Sequence, residues 1–204
     1  MKDKKNIIII VLSLLFVILC ILVKLDLLSN IDESVYKFIT SNMNDTTTNI
    51  YKVITFFGST IFMVGLCVLL LVLFIILKKN IYGYIICGTL IFSTIMNNVI
   101  KVIVKRERPI SWFLVEESGY SFPSGHAMAS VCFYGLIIYL LYRSNIEKKY
   151  KIVIITFLTL LILLIALSRI YLGVHYASDV IGGVVIALIY LVIYVTIVDR
   201  KINN

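Results

Sequence analysis

The chain has 204 residues, 61% of them hydrophobic, with a mean hydropathy of +1.04 and a net charge of +8. Soluble domains are closer to about half apolar, so these values exclude a water-soluble globular domain and point to one membrane domain over residues 1–204. The positive charge is no sign of a nucleic-acid partner, because the basic residues alternate with long apolar runs and follow membrane topology instead.

Six segments approach or reach the roughly 20 apolar residues that cross a bilayer. They are 7–23, 59–77, 81–104, 124–142, 152–167 and 180–198. The fold class read from them is an all-α membrane protein with six transmembrane helices in one bundle. The first segment, in "MKDKKNIIIIVLSLLF", resembles a signal peptide, but no small-residue cleavage site follows, and an uncleaved helix is expected. The first outer connection, 24–58, holds "IDESVYKFITSNMND", where Ile31, Val35, Phe38 and Ile39 recur near helical spacing. A short amphipathic helix at the membrane interface, lying as a lid over the bundle, is expected there. Cys20, Cys67, Cys87 and Cys132 lie in apolar runs without CxxC spacing and read as small core or lipid-facing residues.

This topology puts Lys2, Lys4, Lys5, Lys78, Lys79, Arg143, Lys148, Lys149, Lys151, Arg200 and Lys201 on one side, against Asp3, Glu147 and Asp199. Basic loops stay in the cytoplasm, so both termini are expected there. The opposite side is balanced in charge, yet Lys101, Lys105, Arg106, Arg108 and Arg169 fall on it, where topology does not require them.

Three stretches in this second set of loops carry chemistry, within residues 101–179. In "KVIVKRERP", Lys101 and Arg108 are seven residues apart, two helical turns, so they share a face with Lys105. Pro109 disfavours helix at the residue before it and should end the span there. Such a cluster serves either as a snorkelling lipid anchor or as a phosphate grip, for which arginine offers a bidentate fork. In "FPSGHA", Ser124 is placed to start a helix, and Pro123 fixes the entry. The first N–H groups of a helix lack partners and receive anions. Gly125 admits a ligand close to the backbone, and His126 could give a proton to a leaving oxygen; the plainer alternative is a helix cap with a histidine beside it. In "SRIYLGVHYASD", Arg169 closes the fifth span, and His175 and Asp179 are one helical turn apart. A carboxylate on one imidazole nitrogen fixes the tautomer and frees the other nitrogen as nucleophile or base. A purely structural His–Asp bond is the alternative. Two histidines and one aspartate suit zinc poorly among so many cations, so no metal and no cofactor is expected. Together these groups supply what phosphoryl transfer needs: positioning, charge stabilisation, a nucleophile and an acid.

With these residues in hand, the chain resembles the type-2 phosphatidic acid phosphatase superfamily, whose signature is K-x6-R-P, then P-S-G-H, then S-R-x5-H-x3-D. Here the three read Lys101-x6-Arg108-Pro109, Pro123-Ser124-Gly125-His126 and Ser168-Arg169-x5-His175-x3-Asp179. The resemblance implies that His175 takes the phosphoryl group, that Asp179 orients it, and that His126 protonates the departing lipid oxygen. It also implies that Lys101, Arg108, Ser124, Gly125 and Arg169 hold the phosphate, without metal. A lipid phosphate is the expected substrate, with phosphatidylglycerol phosphate ahead of undecaprenyl pyrophosphate. The vanadium haloperoxidases share the signature but are soluble, which this hydropathy excludes. Two other classes stay open at this stage. A small transporter would need polar groups at mid-span, where Asn97 and Asn98 are nearly all the sequence offers. A non-catalytic lipid-binding scaffold would not need both histidines and Asp179.

Overall fold

The computed structural model describes residues 2–109 and 113–202, all helix and loop with no strand among them. The side chains of Lys2, Asp3, Arg200 and Lys201, part of the charge asymmetry above, lie outside the described set. The helices are α1 (Lys2–Lys24), α2 (Ser29–Ile39), α3 (Asp45–Phe56), α4 (Thr60–Ile76), α5 (Asn80–Val104), α6 (Gly125–Arg143), α7 (Lys148–Tyr171) and α8 (Ala177–Ile202). Five of them, α1, α5, α6, α7 and α8, are long and apolar enough to cross a membrane. A sixth span arises if α3 and α4, bent by 42° at a short break, count as one.

Helix α6 lies at the centre and packs on α5, α7 and α8, while α1 runs along α8. Its Phe133, Tyr134 and Leu136 are buried with Met63 of α4, Ile85 and Ile86 of α5, Ile165 of α7 and Val195 of α8. At one end of the bundle Lys5 Nζ reaches Thr196 Oγ1 at 3.3 Å. At the other end, Leu19 and Val23 pack with Ile100 and Phe122. Helices α1 and α8 are therefore antiparallel. The C-terminal ends of α5 and α7 and the N-terminal ends of α6 and α8 meet at the Phe122 end. There α8 comes unusually close to the start of α6. A Cβ on Gly183 would stand 2.7 Å from the carbonyl oxygen of Ser124, and one on Gly182 would stand 2.5 Å from the Phe122 ring. Only glycine allows this approach.

The first outer connection holds two helices where the sequence suggested one. The second, α3, starts with a capping box in which Asn44 Oδ1 accepts from Thr47 N and Thr47 Oγ1 accepts from Asn44 N. The apolar set read for α2 divides. Val35 and Ile39 pack on Ala127, Ala166, Ile170, Ala177 and Val180, whereas Ile31 and Phe38 are exposed. The bundle-facing residues include Asp32, which is only 1% exposed. The chain also leaves α5 earlier than the sequence suggested. Lys105 takes a left-handed conformation with φ 54° and caps the helix after Val104. Lys105 is exposed, and Arg108 is carried by the loop, not by a helix face shared with Lys101. Cys67 and Cys87 meet between α4 and α5 as free thiols, Sγ to Sγ 2.9 Å.

Candidate active site

Lys101, Arg108, Gly125, His126 and His175 line one cavity of about 380 Å³ at this end of the bundle. Its remaining walls come mainly from α4 and α5 and descend to Met63, Val64 and Leu90. Lys101 sits in the last turn of α5. Ser124 starts α6, and its Oγ is buried without a hydrogen-bond partner. The Ser124 N–H donates to the backbone oxygen of Asp179 at 3.0 Å, which ties the start of α6 to the first turn of α8. Asn97, buried in α5, donates to the Pro123 oxygen at 3.1 Å and supports the same turn. His126 follows in the first turn of α6, half-buried, with Gly58 at the α3–α4 bend against its ring.

His175 is 2% exposed and faces two partners. Its Nε2 lies 3.2 Å from Arg108 Nη1. A guanidinium has no acceptor, so Nε2 must be the unprotonated nitrogen of a neutral ring and the proton belongs on Nδ1. That nitrogen points at Asp179 Oδ2 across 3.5 Å, out of line for a hydrogen bond. Burial pushes the His175 pKa down to about 4; Asp179 opposes this, and Arg169 and Arg108 reinforce it. The ring is thus neutral, and its Nε2 electron pair accepts from Arg108 at the cavity wall.

Asp179, 0% exposed, is held from several sides. Its Oδ2 accepts from the Tyr176 N–H at 2.9 Å and from the Ser121 hydroxyl, and its Oδ1 accepts from Arg106 Nη1 at 2.7 Å. Arg169, 1% exposed at the end of α7, donates Nη1 to Thr55 Oγ1 at 2.7 Å and Nη2 to Glu117, and its Nε has no partner. Glu117 Oε2 is also 3.9 Å from Arg108 Nη2. Arg108 directs its other donors to the carbonyl oxygens of Ser118, Gly119 and Val174, at 2.8 to 3.0 Å. It therefore stitches the 105–123 loop to His175 as well as facing the cavity.

Of the residues read from the sequence, Lys101, Arg108, Gly125, His126 and His175 line this cavity, Ser124, Arg169 and Asp179 stand behind its wall, and Lys105 is exposed outside it. Sequence reading missed Ser121, Glu117, Thr55 and Asp32, and it noted Arg106 only as a cation that topology did not need. Among the described residues, no group of three or more His, Cys, Asp or Glu side chains is placed to hold a metal ion.

Comparisons with known proteins show the family. The family model described as PAP2 superfamily matches residues 82–203. Phosphatidylglycerophosphatase B of Bacillus subtilis is 31% identical over 196 residues, 95% of each chain. Dolichyldiphosphatase 1 of Dictyostelium discoideum is 32% identical over 97 residues, 46% of this chain and 42% of the relative. The crystal structure of a transmembrane PAP2 type phosphatidylglycerolphosphate phosphatase from Bacillus subtilis superposes with a TM-score of 0.87 at 27% identity, covering 94% of this chain and 96% of that one. A multi-pass helical fold with these relatives defines a membrane lipid phosphatase. The chain belongs to the PAP2 superfamily.

Proposed function

We propose that this lipid phosphatase removes phosphate from phosphatidylglycerol phosphate through a phosphohistidine on His175. His175 Nε2 attacks phosphorus, the bond to the lipid oxygen breaks, and His126 gives that oxygen a proton. Water then attacks the phosphohistidine, with His126 accepting its proton, and inorganic phosphate leaves. Lys101, Arg108, Arg169, Ser124 Oγ and the N–H groups at the start of α6 hold the phosphate oxygens. Arg108, donating to Nε2, keeps the His175 proton on Nδ1, and Asp179 faces that proton and orients the ring. No metal takes part. The observation that most supports this reading is the neutral His175 ring, whose Nε2 electron pair lies at the wall of a cavity shared with His126 and Lys101.

The relatives and the depth of the cavity support a lipid substrate. The cavity runs from Lys101 down to Leu90, eleven residues of α5, about 16 Å at the helical rise. Below the charged head the wall carries Asn97, Asn98, Thr94, Ser93 and Thr60 and becomes apolar only at Met63, Val64 and Leu90, room for a polar headgroup with the start of a chain beneath it. The full-length likeness to a phosphatidylglycerophosphatase favours that substrate. A polyprenyl diphosphate such as undecaprenyl pyrophosphate is the second reading, favoured by the likeness to a dolichyldiphosphatase. We further infer six spans, with α3 and α4 as one broken span, and α2 as an amphipathic helix at the outer interface. Both termini then face the cytoplasm and the site faces out, because Lys4, Lys5, Lys78, Lys79 and Arg143 gather at the opposite end.

Purified protein in detergent with EDTA tests the substrate class. Phosphate release is measured from phosphatidylglycerol phosphate, phosphatidic acid, undecaprenyl pyrophosphate and a soluble sugar phosphate, with His175→Ala as control. Fastest release from phosphatidylglycerol phosphate, undiminished by EDTA and lost in the control, is the expected result. Fastest release from the prenyl substrate would replace the first reading by the second. Loss of activity in EDTA would refute the metal-free chemistry.

A further inference from the structure

Arg106 occupies one of the unspecified positions of the first signature stretch, yet it bridges two buried carboxylates beside the site. Its Nη1 donates to Asp179 Oδ1 and to Ser178 Oγ, both at 2.7 Å, and its Nη2 donates to Asp32 Oδ2 at 2.9 Å. The guanidinium lies 4.0 Å over the Tyr176 ring. Asp32 belongs to α2, 74 residues away in sequence. Its Oδ1 accepts from the Ser178 N–H at 2.8 Å and its Oδ2 from the Ser178 hydroxyl at 2.6 Å, so a residue of α2 caps the first turn of α8.

This is a closed arrangement of buried charge. Asp32 and Asp179 are 1% and 0% exposed, and the Arg106 side chain is 10% exposed. The guanidinium between the two carboxylates offsets the cost of burying them. The planar fork of arginine reaches both at once, one nitrogen to each; a lysine ammonium would serve one of them well and the other poorly.

The arrangement also bears on how Asp179 meets His175. With Oδ1 fixed by Arg106, and Oδ2 by Ser121 and the Tyr176 N–H, the carboxylate cannot turn about its axis. Oδ2 is the oxygen that faces His175 Nδ1. We propose that Arg106 is a positioning residue, which sets the orientation of Asp179 toward His175 and, through Asp32, makes that orientation depend on the seating of α2. The proposal rests on the reading of His175 as the nucleophile oriented by Asp179. Helix α2 is then more than a cover. Its apolar contact with the bundle is modest, and the Asp32 bonds anchor it to the element that carries Asp179.

The test uses the full-length protein in detergent with phosphatidylglycerol phosphate as substrate. Arg106→Lys, Asp32→Asn and the double variant are compared with the unmodified chain and with His175→Ala. Arg106→Lys should lower kcat by 10-fold or more with KM nearly unchanged, since Arg106 does not touch the phosphate. Asp32→Asn should lower kcat less, and the double variant should lose less than the product of the two single losses, because the groups act as one unit. A spectroscopic readout separates positioning from general loosening. In a His126→Asn background His175 is the only histidine of the chain, and its 15N shifts report which nitrogen carries the proton. Arg106→Lys should shift the Nδ1 resonance, because the carboxylate facing it turns, while Nε2 stays unprotonated against Arg108. Wild-type kcat with an unchanged 15N spectrum in folded Arg106→Lys would overturn the positioning role while His175→Ala stays inactive. If Arg106→Lys fails to fold, Asp32→Asn with wild-type kcat and an unchanged spectrum overturns it equally. Turnover retained by His175→Ala would remove the nucleophile and this proposal with it.

Discussion

Replacing Gly183 by alanine should separate the two halves of the site by a fraction of an ångström and slow the reaction out of proportion to its effect on stability. The new Cβ would stand 2.7 Å from Ser124 O and 3.3 Å from Met128 N, both backbone atoms that cannot swing aside. The contact must open by about half an ångström, which moves α8, and with it Asp179, away from the start of α6. That movement strains the 3.0 Å bond from the Ser124 N–H to the Asp179 oxygen. Overpacking of this kind costs roughly 1–3 kcal/mol of stability. A misplacement of about 1 Å at reacting groups costs on the order of 100-fold in rate, so half of it should lower kcat by about 10-fold. The assay is steady-state phosphate release in detergent, with thermal unfolding recorded on the same samples. Gly65→Ala is the control: nothing lies within 4 Å of its Cβ, and alanine in a helix interior is favoured over glycine by roughly 0.5–1 kcal/mol. It should keep wild-type kcat. A folded Gly183→Ala protein with wild-type kcat would refute the claim that this close approach sets the site's geometry.

His175 should titrate with a midpoint near pH 4 when followed by 15N NMR in a His126→Asn background; a midpoint near 6.5 would contradict its burial beside Arg108 and Arg169. The sign follows from that lowered pKa. The folded chain refuses a proton that the unfolded chain accepts below about pH 6.5, so stability falls as pH drops from there toward 4, while the nucleophile stays neutral down to about pH 5. Arg169→Lys should lower kcat/KM by roughly 10- to 100-fold although charge is kept, because one ammonium cannot replace a fork reaching Thr55 and Glu117 at once; unchanged kinetics would deny it a bidentate grip. His126→Ala should slow release from a lipid, whose leaving group is a poor alkoxide, by on the order of 100-fold more than release from nitrophenyl phosphate; equal losses would exclude a proton donor.

The parts of the site that the sequence displays are those whose chemistry is local. Pro123 to His126 form one turn, and His175 and Asp179 are four residues apart, so spacing alone puts them on common ground. Arg106 and Asp32 could not be read as a pair. Their bond joins residues 74 apart, and in the sequence Asp32 looks like one more acid on the wet side of an amphipathic helix. The same holds for Glu117 and Arg169, 52 residues apart. The end of α5 was misread for a local reason: Lys105 adopts a left-handed turn that usually signals itself by glycine or asparagine. Helix α3 did leave a trace, since Asn44 and Thr47 have capping-box spacing, but the run "DTTTNIY" is polar and rich in β-branched threonine, which reads as loop. The long apolar spans were legible throughout, because a bilayer demands them before any packing is decided.

The central claim is that phosphate passes through His175, and trapping it there tests that claim most directly. The protein is mixed with phosphatidylglycerol phosphate, quenched in alkali during turnover, where phosphohistidine survives, then digested and read by mass spectrometry. The account predicts phosphate on the peptide containing His175 and none in His175→Ala. Rapid turnover with no phosphohistidine, or with the label on His126, would contradict it.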